Sequence, residues 1–296
     1  MKILPGTSSI ELGKNIAERL NIPLLELKVK YFNDGESYLK IIGSIKNQEI
    51  ILIQNISPPQ EKNLMELLFL ASTLKELGAF KVHSIIPYLC YARTDRRRLE
   101  GEVTSHQNTL DLIQNSGVDS LATLRVHNQK IFLETNKDFK KYNIDFTPLL
   151  IPELHKAKEK DWFIIGPDKG SYDDVEKIAR ELSKPFATLE KYRDPHTHEV
   201  SLVDTGFDCH EKDAILIDDA ITSGGTAFDA INIIKQKKPS SLTYFCVHAL
   251  AKKETFIKML QIGVTEIISL NTIPRDDVDQ IDITSHVSKF IEENLL

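Results

Sequence analysis

The chain has 296 residues, of which 41% are hydrophobic and 27% charged, with a formal net charge of -6. That length is about twice a common domain, so two medium α/β domains or one large sheet are the starting expectations. The acidic balance excludes a binder that neutralises nucleic-acid phosphates over a basic face, and the composition is not that of a disordered chain.

The opening Met1-Lys2-Ile3-Leu4-Pro5-Gly6 lacks the apolar stretch of a secretory signal, and no later apolar run approaches the roughly 18 residues of a membrane helix. A cytoplasmic protein without membrane contact is expected. Cys90, Cys209 and Cys246 are odd in number and far apart, which suits buried thiols in a reducing compartment. Tyr31-Phe32-Asn33-Asp34-Gly35-Glu36 suits a hairpin with an Asp-Gly turn. Residues 49–54 then read as a strand, 63–77 as a helix, 81–88 as a strand and 121–124 as another. Charged residues 137–141 followed by an apolar restart at 146–151 place a join near 140–145, dividing the chain into 1–144 and 145–296. Beyond it, strands are predicted at 162–165, 214–217, 241–249 and 266–270, and helices at 173–182 and 227–235. Residues 190–199 are polar and poorly periodic, as in a loop or hairpin. Short apolar runs alternating with amphipathic ones predict βαβ units and mainly parallel sheets flanked by helices.

The strongest local signal is the strand at 214–217, then Asp218 and Asp219, then Thr222-Ser223-Gly224-Gly225-Thr226, then a helix. Hydroxyls and glycines at a helix N-terminus offer N–H and O–H donors at the positive end of a dipole, which is what an anionic phosphate requires. The two acids can accept hydrogen bonds from ribose hydroxyls. A Ser/Thr-capped turn without ligand explains one hydroxyl but not two acids after an apolar strand. No P-loop string of the Gly-x-x-x-x-Gly-Lys-Ser/Thr kind occurs.

The run from Asp218 to Thr226 resembles the phosphoribosyl-pyrophosphate motif of type I phosphoribosyltransferases and of ribose-phosphate pyrophosphokinases. The Phe32 segment, Asn63-Leu64-Met65-Glu66, the stretch from Ile86 through Tyr91-Ala92-Arg93-Thr94-Asp95-Arg96, Gly166-Pro167-Asp168 and Asn271-Thr272-Ile273-Pro274 are similar to pyrophosphokinase segments in the same order, so the resemblance spans nearly the whole chain. It implies two tandem phosphoribosyltransferase-like domains, the first on the ATP side and the second on the ribose-phosphate side. It also implies transfer of the β,γ-diphosphoryl group of ATP to ribose 5-phosphate. ATP would then lie on Phe32, Asp34, Glu36, Arg93, Thr94 and Arg96, and ribose 5-phosphate on Asp218, Asp219, Thr222, Ser223, Gly224, Gly225 and Thr226. Mg2+ would lie on His127 and Asp168, with Lys191 and Arg193 as the catalytic cations, in a homo-oligomer. The chain departs from the pattern at Arg125, where relatives carry an acid, at Thr94 and Asn33, where they carry glutamine and proline, and at Lys169-Gly170-Ser171, where they are richer in glycine. A phosphoribosyltransferase, or a catalytically impaired regulatory homologue, are the alternatives.

Overall fold

The computed structural model describes the chain except residues 98, 158 and 194–199, together with the side chains of 191–193, 200 and 201. The fold consists of two compact units, Met1–Ile144 with Ile283–Leu296, and Asp145–Asp282.

The first unit runs β1 (Lys2–Pro5), α1 (Ile10–Leu20), β2 (Glu26–Tyr31), β3 (Ser37–Ile42), β4 (Glu49–Ile53), α2 (Gln60–Glu76), β5 (Lys81–Ile86), α3 (Ser105–Asn115), β6 (Ser120–Leu124), α4 (Gln129–Glu134) and β7 (Lys140–Ile144). Its five-stranded sheet has the order β1-β4-β5-β6-β7 and is parallel throughout. In β4, Ile50, Ile51, Leu52 and Ile53 are all buried, the signature of a strand covered on both faces. The α2 helix presents Leu64, Leu67, Leu70, Ala71 and Leu74 to the core at helical spacing. Each such leucine contributes about 2 kcal/mol by burial, and Leu67→Ala would cost roughly 2–5 kcal/mol. The residues read as a join, 140–145, include β7, an edge strand on which Lys140 is exposed while Lys141 turns to the Thr135 and Asn136 carbonyls.

The second unit begins with α5 (Thr147–Lys156) and β8 (Trp162–Gly166), then a 3-10 turn at Lys169–Ser171, α6 (Tyr172–Leu182), β9 (Phe186–Thr188), β10 (Glu190–Arg193) and β11 (Val200–Val203). It continues through β12 (Asp213–Ile221), α7 (Gly225–Gln236), β13 (Ser241–Ala249), α8 (Lys253–Gln261), β14 (Glu266–Leu270) and β15 (Asp279–Ile281). The six-stranded sheet, β15-β14-β13-β12-β8-β9, is also parallel. The final helix, α9 (Thr284–Asn294), is grouped with the first unit although 145–296 was the expected second half. Its Phe290 packs edge-on against Tyr142 at 5.1 Å. That long-range contact has no local sequence signal. Cys90, Cys209 and Cys246 are buried free thiols.

One element order recurs in both units: strand, helix, short bridge or strand, antiparallel hairpin, strand, helix, strand. In the first, β1 and α1 are followed by the Ile3–Leu24 bridge, the β2–β3 hairpin, β4, α2 and β5. In the second, β8 and α6 are followed by β9, the β10–β11 hairpin, β12, α7 and β13. Each sheet therefore has a point, β1/β4 or β8/β12, where chain connections diverge to opposite sides, the place where open α/β sheets bind ligands.

Candidate active site

In the second unit the expected strand at 214–217 is longer. β12 pairs with β13 as far as Ile221 but with β8 only as far as Leu216. Asp218 and Asp219 are therefore held in a strand on one side, while the other side opens into the crevice that β8 has left. Gly166 ends β8 in tight quarters: a Cβ there would come 2.1 Å from Ser171 Oγ. Asp168 follows, its Oδ1 accepting from the Gly170 N–H (2.7 Å) and its carbonyl accepting from Ser171 Oγ (2.6 Å). These bonds fix the 3-10 turn. Lys169 is exposed and paired with Glu190 Oε1 at 3.0 Å.

Asp218 Oδ1 accepts from the Asp219 N–H (2.9 Å), and Oδ2 accepts from the buried Tyr244 hydroxyl (3.3 Å). Desolvation pushes the Asp218 carboxyl well above its ordinary range, and the charges of Asp219 and then Asp168 push it further. Asp218 and Asp219 thus stand side by side where β12 runs on past β8, an arrangement that favours a ligand bringing hydroxyl donors.

The turn after β12 leaves Thr222, Ser223, Gly225 and Thr226 exposed and Gly224 buried. A Ser/Thr cap was one reading, but the residue at the N-cap of α7 is Gly224. It needs to be glycine, because φ is 86° and a Cβ would lie 2.8 Å from both Phe228 and Thr255. A glycine cap brings no side chain to the first-turn N–H groups, which leaves that helix end suited to an anion. Lys191 and Arg193 lie in β10, in register with Leu202 and Val200, so this stretch begins as a hairpin. The side chains of both fall outside the described residues.

In the first unit, the Phe32 N–H bonds to the Glu36 carbonyl at 2.8 Å, closing the β2–β3 hairpin, with Gly35 at φ 95°. Asp34 Oδ1 accepts from the Glu36 N–H (3.2 Å), so Asp34 also builds the turn that would present it. Phe32 is 46% exposed, lies edge-on to Tyr38, and has Lys30 Nζ 5.4 Å from its ring. An aromatic ring left this open can offer a stacking face to a flat ligand. Arg93, Thr94 and Arg96 are exposed in the irregular segment after β5. Arg96 Nε is 3.7 Å from Asp95 Oδ1. Tyr91, at the head of the segment, donates to Glu61 Oε1 (2.7 Å), and that bond pushes its phenol up to about 12.

His127 is exposed in the loop after β6. Arg125, two residues earlier, has φ 39° and is only 9% exposed, with Nη1 donating to the Val126 carbonyl at 2.6 Å. The cation that departs from the family pattern is thus turned into the protein and bonded to backbone. Two residues escaped the sequence reading. Tyr244 supports Asp218, and its one signal is a tyrosine in an apolar strand, since a buried hydroxyl requires a partner. Asn128 bonds to Asp95 across 33 positions, for which no local signal exists.

Known proteins resemble both units. Residues 1–117 match the N-terminal domain of ribose phosphate pyrophosphokinase, and residues 149–277 match the phosphoribosyl transferase domain. A ribose-phosphate pyrophosphokinase of Sulfurisphaera tokodaii is 34% identical over 98% of this chain and 100% of its own length. The corresponding protein of Saccharolobus solfataricus is 33% identical over 96% of this chain and 97% of its own. A phosphoribosylpyrophosphate synthetase structure from Mycobacterium smegmatis has the same fold, with a TM-score of 0.87, 23% identity, and coverage of 98% of this chain and 97% of that one.

Proposed function

The chain belongs to the ribose-phosphate pyrophosphokinase family, and on that footing we propose how its residues divide the transfer of the β,γ-diphosphoryl group of ATP to ribose 5-phosphate. The C1 hydroxyl oxygen attacks the β-phosphorus, the bond from that phosphorus to the α,β-bridging oxygen breaks, and the hydroxyl proton departs. Phosphoribosyl pyrophosphate and AMP result. In-line displacement of this kind needs positioning and charge stabilisation and no covalent intermediate.

The observation that carries the reading is the overrun of β12 past β8, which opens a crevice at Asp218 and Asp219 beside the glycine-capped end of α7. The two acids accept from the ribose hydroxyls. Thr222, Ser223, Gly224, Gly225 and Thr226 hold the 5-phosphate. The hairpin-borne Phe32, with Asp34 and Glu36, takes the adenine, while Arg93, Thr94 and Arg96 take the polyphosphate. Lys191 and Arg193 stabilise the charge that spreads over the transferring group.

Magnesium is the proposed metal, for which Asp168 in the second unit and His127 in the first are each offered as candidate ligands. Among the described residues no three His, Cys, Asp or Glu side chains cluster to hold a metal. A hard carboxylate such as Asp168 nevertheless fits a magnesium ion that keeps water and takes phosphate oxygens for its remaining ligands. When bound, the metal offsets charge on the polyphosphate. A homo-oligomer in the cytoplasm completes the proposal. Among the described residues, no helix is long and apolar enough to cross a membrane. A plain transferase leaves the match over residues 1–117 unexplained.

The test is an assay of purified protein with ATP, magnesium and ribose 5-phosphate, following AMP and phosphoribosyl pyrophosphate, with Lys191→Ala alongside. Turnover that falls roughly 100-fold or more in the variant is expected. A wild-type chain that binds ribose 5-phosphate but forms no product would sink the reading.

A further inference from the structure

The segment from Tyr91 to Arg96 and the loop carrying His127 are both irregular backbone, and both hold a bulky residue in the left-handed region, Tyr91 at φ 60° and Arg125 at φ 39°. Such conformations persist where the surroundings over-determine them. From α3, the His106 N–H donates to the Thr94 carbonyl at 3.2 Å. From β7, Asn143 Oδ1 accepts from the Val126 N–H at 2.7 Å. Joining the two segments directly, Asn128 Nδ2 donates to Asp95 Oδ2 at 3.0 Å, and the Asp95 side chain is only 6% exposed.

Asn128 does two tasks with one amide. Its Oδ1 caps α4 by accepting from the Ile131 N–H at 3.2 Å, while its nitrogen reaches Asp95. Serine or threonine would cap the helix but offer a shorter single hydroxyl, and aspartate would cap it but set a second carboxylate against Asp95. Asparagine satisfies both demands.

We infer that Asp95 and Asn128 form a positioning clamp, which fixes the arginine-bearing segment against the His127 loop so that nucleotide-binding and metal-binding groups stay in one geometry. This rests on the proposed reading of those two segments. Neither residue needs to touch the substrate. The pair acts through its neighbours, and losing it would loosen nucleotide binding without affecting the ribose-phosphate site.

Asn128→Asp keeps the helix cap and breaks the clamp, and Asp95→Asn with Asn128→Asp restores a donor–acceptor pair with its polarity reversed. ADP affinity is measured by equilibrium titration without magnesium and then with it, alongside KM for both substrates and thermal unfolding. In Asn128→Asp we expect ADP affinity to fall and the ATP KM to rise by about tenfold, with the ribose 5-phosphate KM little changed and the unfolding midpoint lowered by the carboxylate set against Asp95. The double variant should recover ADP affinity to within about threefold. Wild-type affinity in Asn128→Asp, or a double variant as weak as the single one, would overturn the clamp. Because binding is read separately from turnover, a chain that binds ADP but makes no product would defeat the proposed function and leave the clamp testable by the same titration. A wild-type chain that binds no ADP would defeat both.

Discussion

The two units meet the same topological situation with opposite residues. In the first, Pro5 pairs with Ile53, and Gly6 and Gln54 come next. In the second, Ile165 pairs with Leu216, and Gly166 and Ile217 come next, so Asn55 holds the register position of Asp218. Where the second unit opens, the first is filled. Gln54 is fully buried, with Oε1 accepting from the Ser8 N–H (3.2 Å) and Nε2 donating to the Asn63 carbonyl (3.2 Å). Asn55 Oδ1 accepts from the Tyr88 N–H (2.8 Å), and Thr7 donates to the buried Glu66. A Cβ on Gly6 would lie 2.1 Å from Gln54 Oε1. One topology thus carries a buried polar plug at the strand ends of one unit and an open turn, proposed to hold an anion, at those of the other. The first unit's candidate binding residues lie instead on the periphery, on the hairpin turn and the segment after β5.

Substitutions at the two strand ends and around them put that contrast to the test. The largest effect is expected at the acids: Asp218→Asn should raise the ribose 5-phosphate KM about 100-fold, read by steady-state kinetics, with the ATP KM unchanged. The same variant should unfold at a higher temperature near neutral pH. Asp218's native pKa lies above its ordinary 3.8, so its contribution to stability is full below that value and lost as pH rises through the raised one. Removing the charge removes that loss, and melts at acid and neutral pH check the sign. Next, Gln54→Ala should destabilise the fold by roughly 2–3 kcal/mol in urea while ribose 5-phosphate binding holds. Gly224→Ala, at φ 86° with no space, should cost about 2 kcal/mol or more and weaken the same binding, whereas Gly35→Ala, at φ 95° but in open space, should cost only about 1 kcal/mol. Phe32→Ala should raise the ATP KM about tenfold without changing stability, because the ring is exposed. The smallest effect, about threefold in the ribose 5-phosphate KM, is expected for Tyr244→Phe, which removes one hydrogen bond from Asp218.

Much of the fold was legible because apolar runs in parallel strands are local signals. The strands at 241–249 and 266–270 lie where periodicity places them. The helix expected from residue 63 starts at Gln60, because its first turn, Gln60-Glu61-Lys62, is polar and adds nothing to the apolar periodicity that marks the helix. The extension of β12 through Asp218 and Asp219 was hidden for a physical reason: acids disfavour a strand unless a neighbour such as β13 supplies the ladder on one side. The turn proposed to bind phosphate could be read from its glycines and hydroxyls, but not which residue caps the helix. The polar plug around Gln54, the docking of α9 on the first unit and the Asp95–Asn128 bond all join residues far apart in sequence, and such pairings carry no local pattern.

Whether the second unit's crevice, and not the first's, receives the ribose phosphate is decided by equilibrium titration of ribose 5-phosphate into the wild-type chain, Asp219→Ala and Gln54→Ala. We expect one site per chain, weakened about 100-fold in Asp219→Ala and retained in Gln54→Ala. Unchanged affinity in Asp219→Ala, or loss of binding in a folded Gln54→Ala, would overturn the assignment.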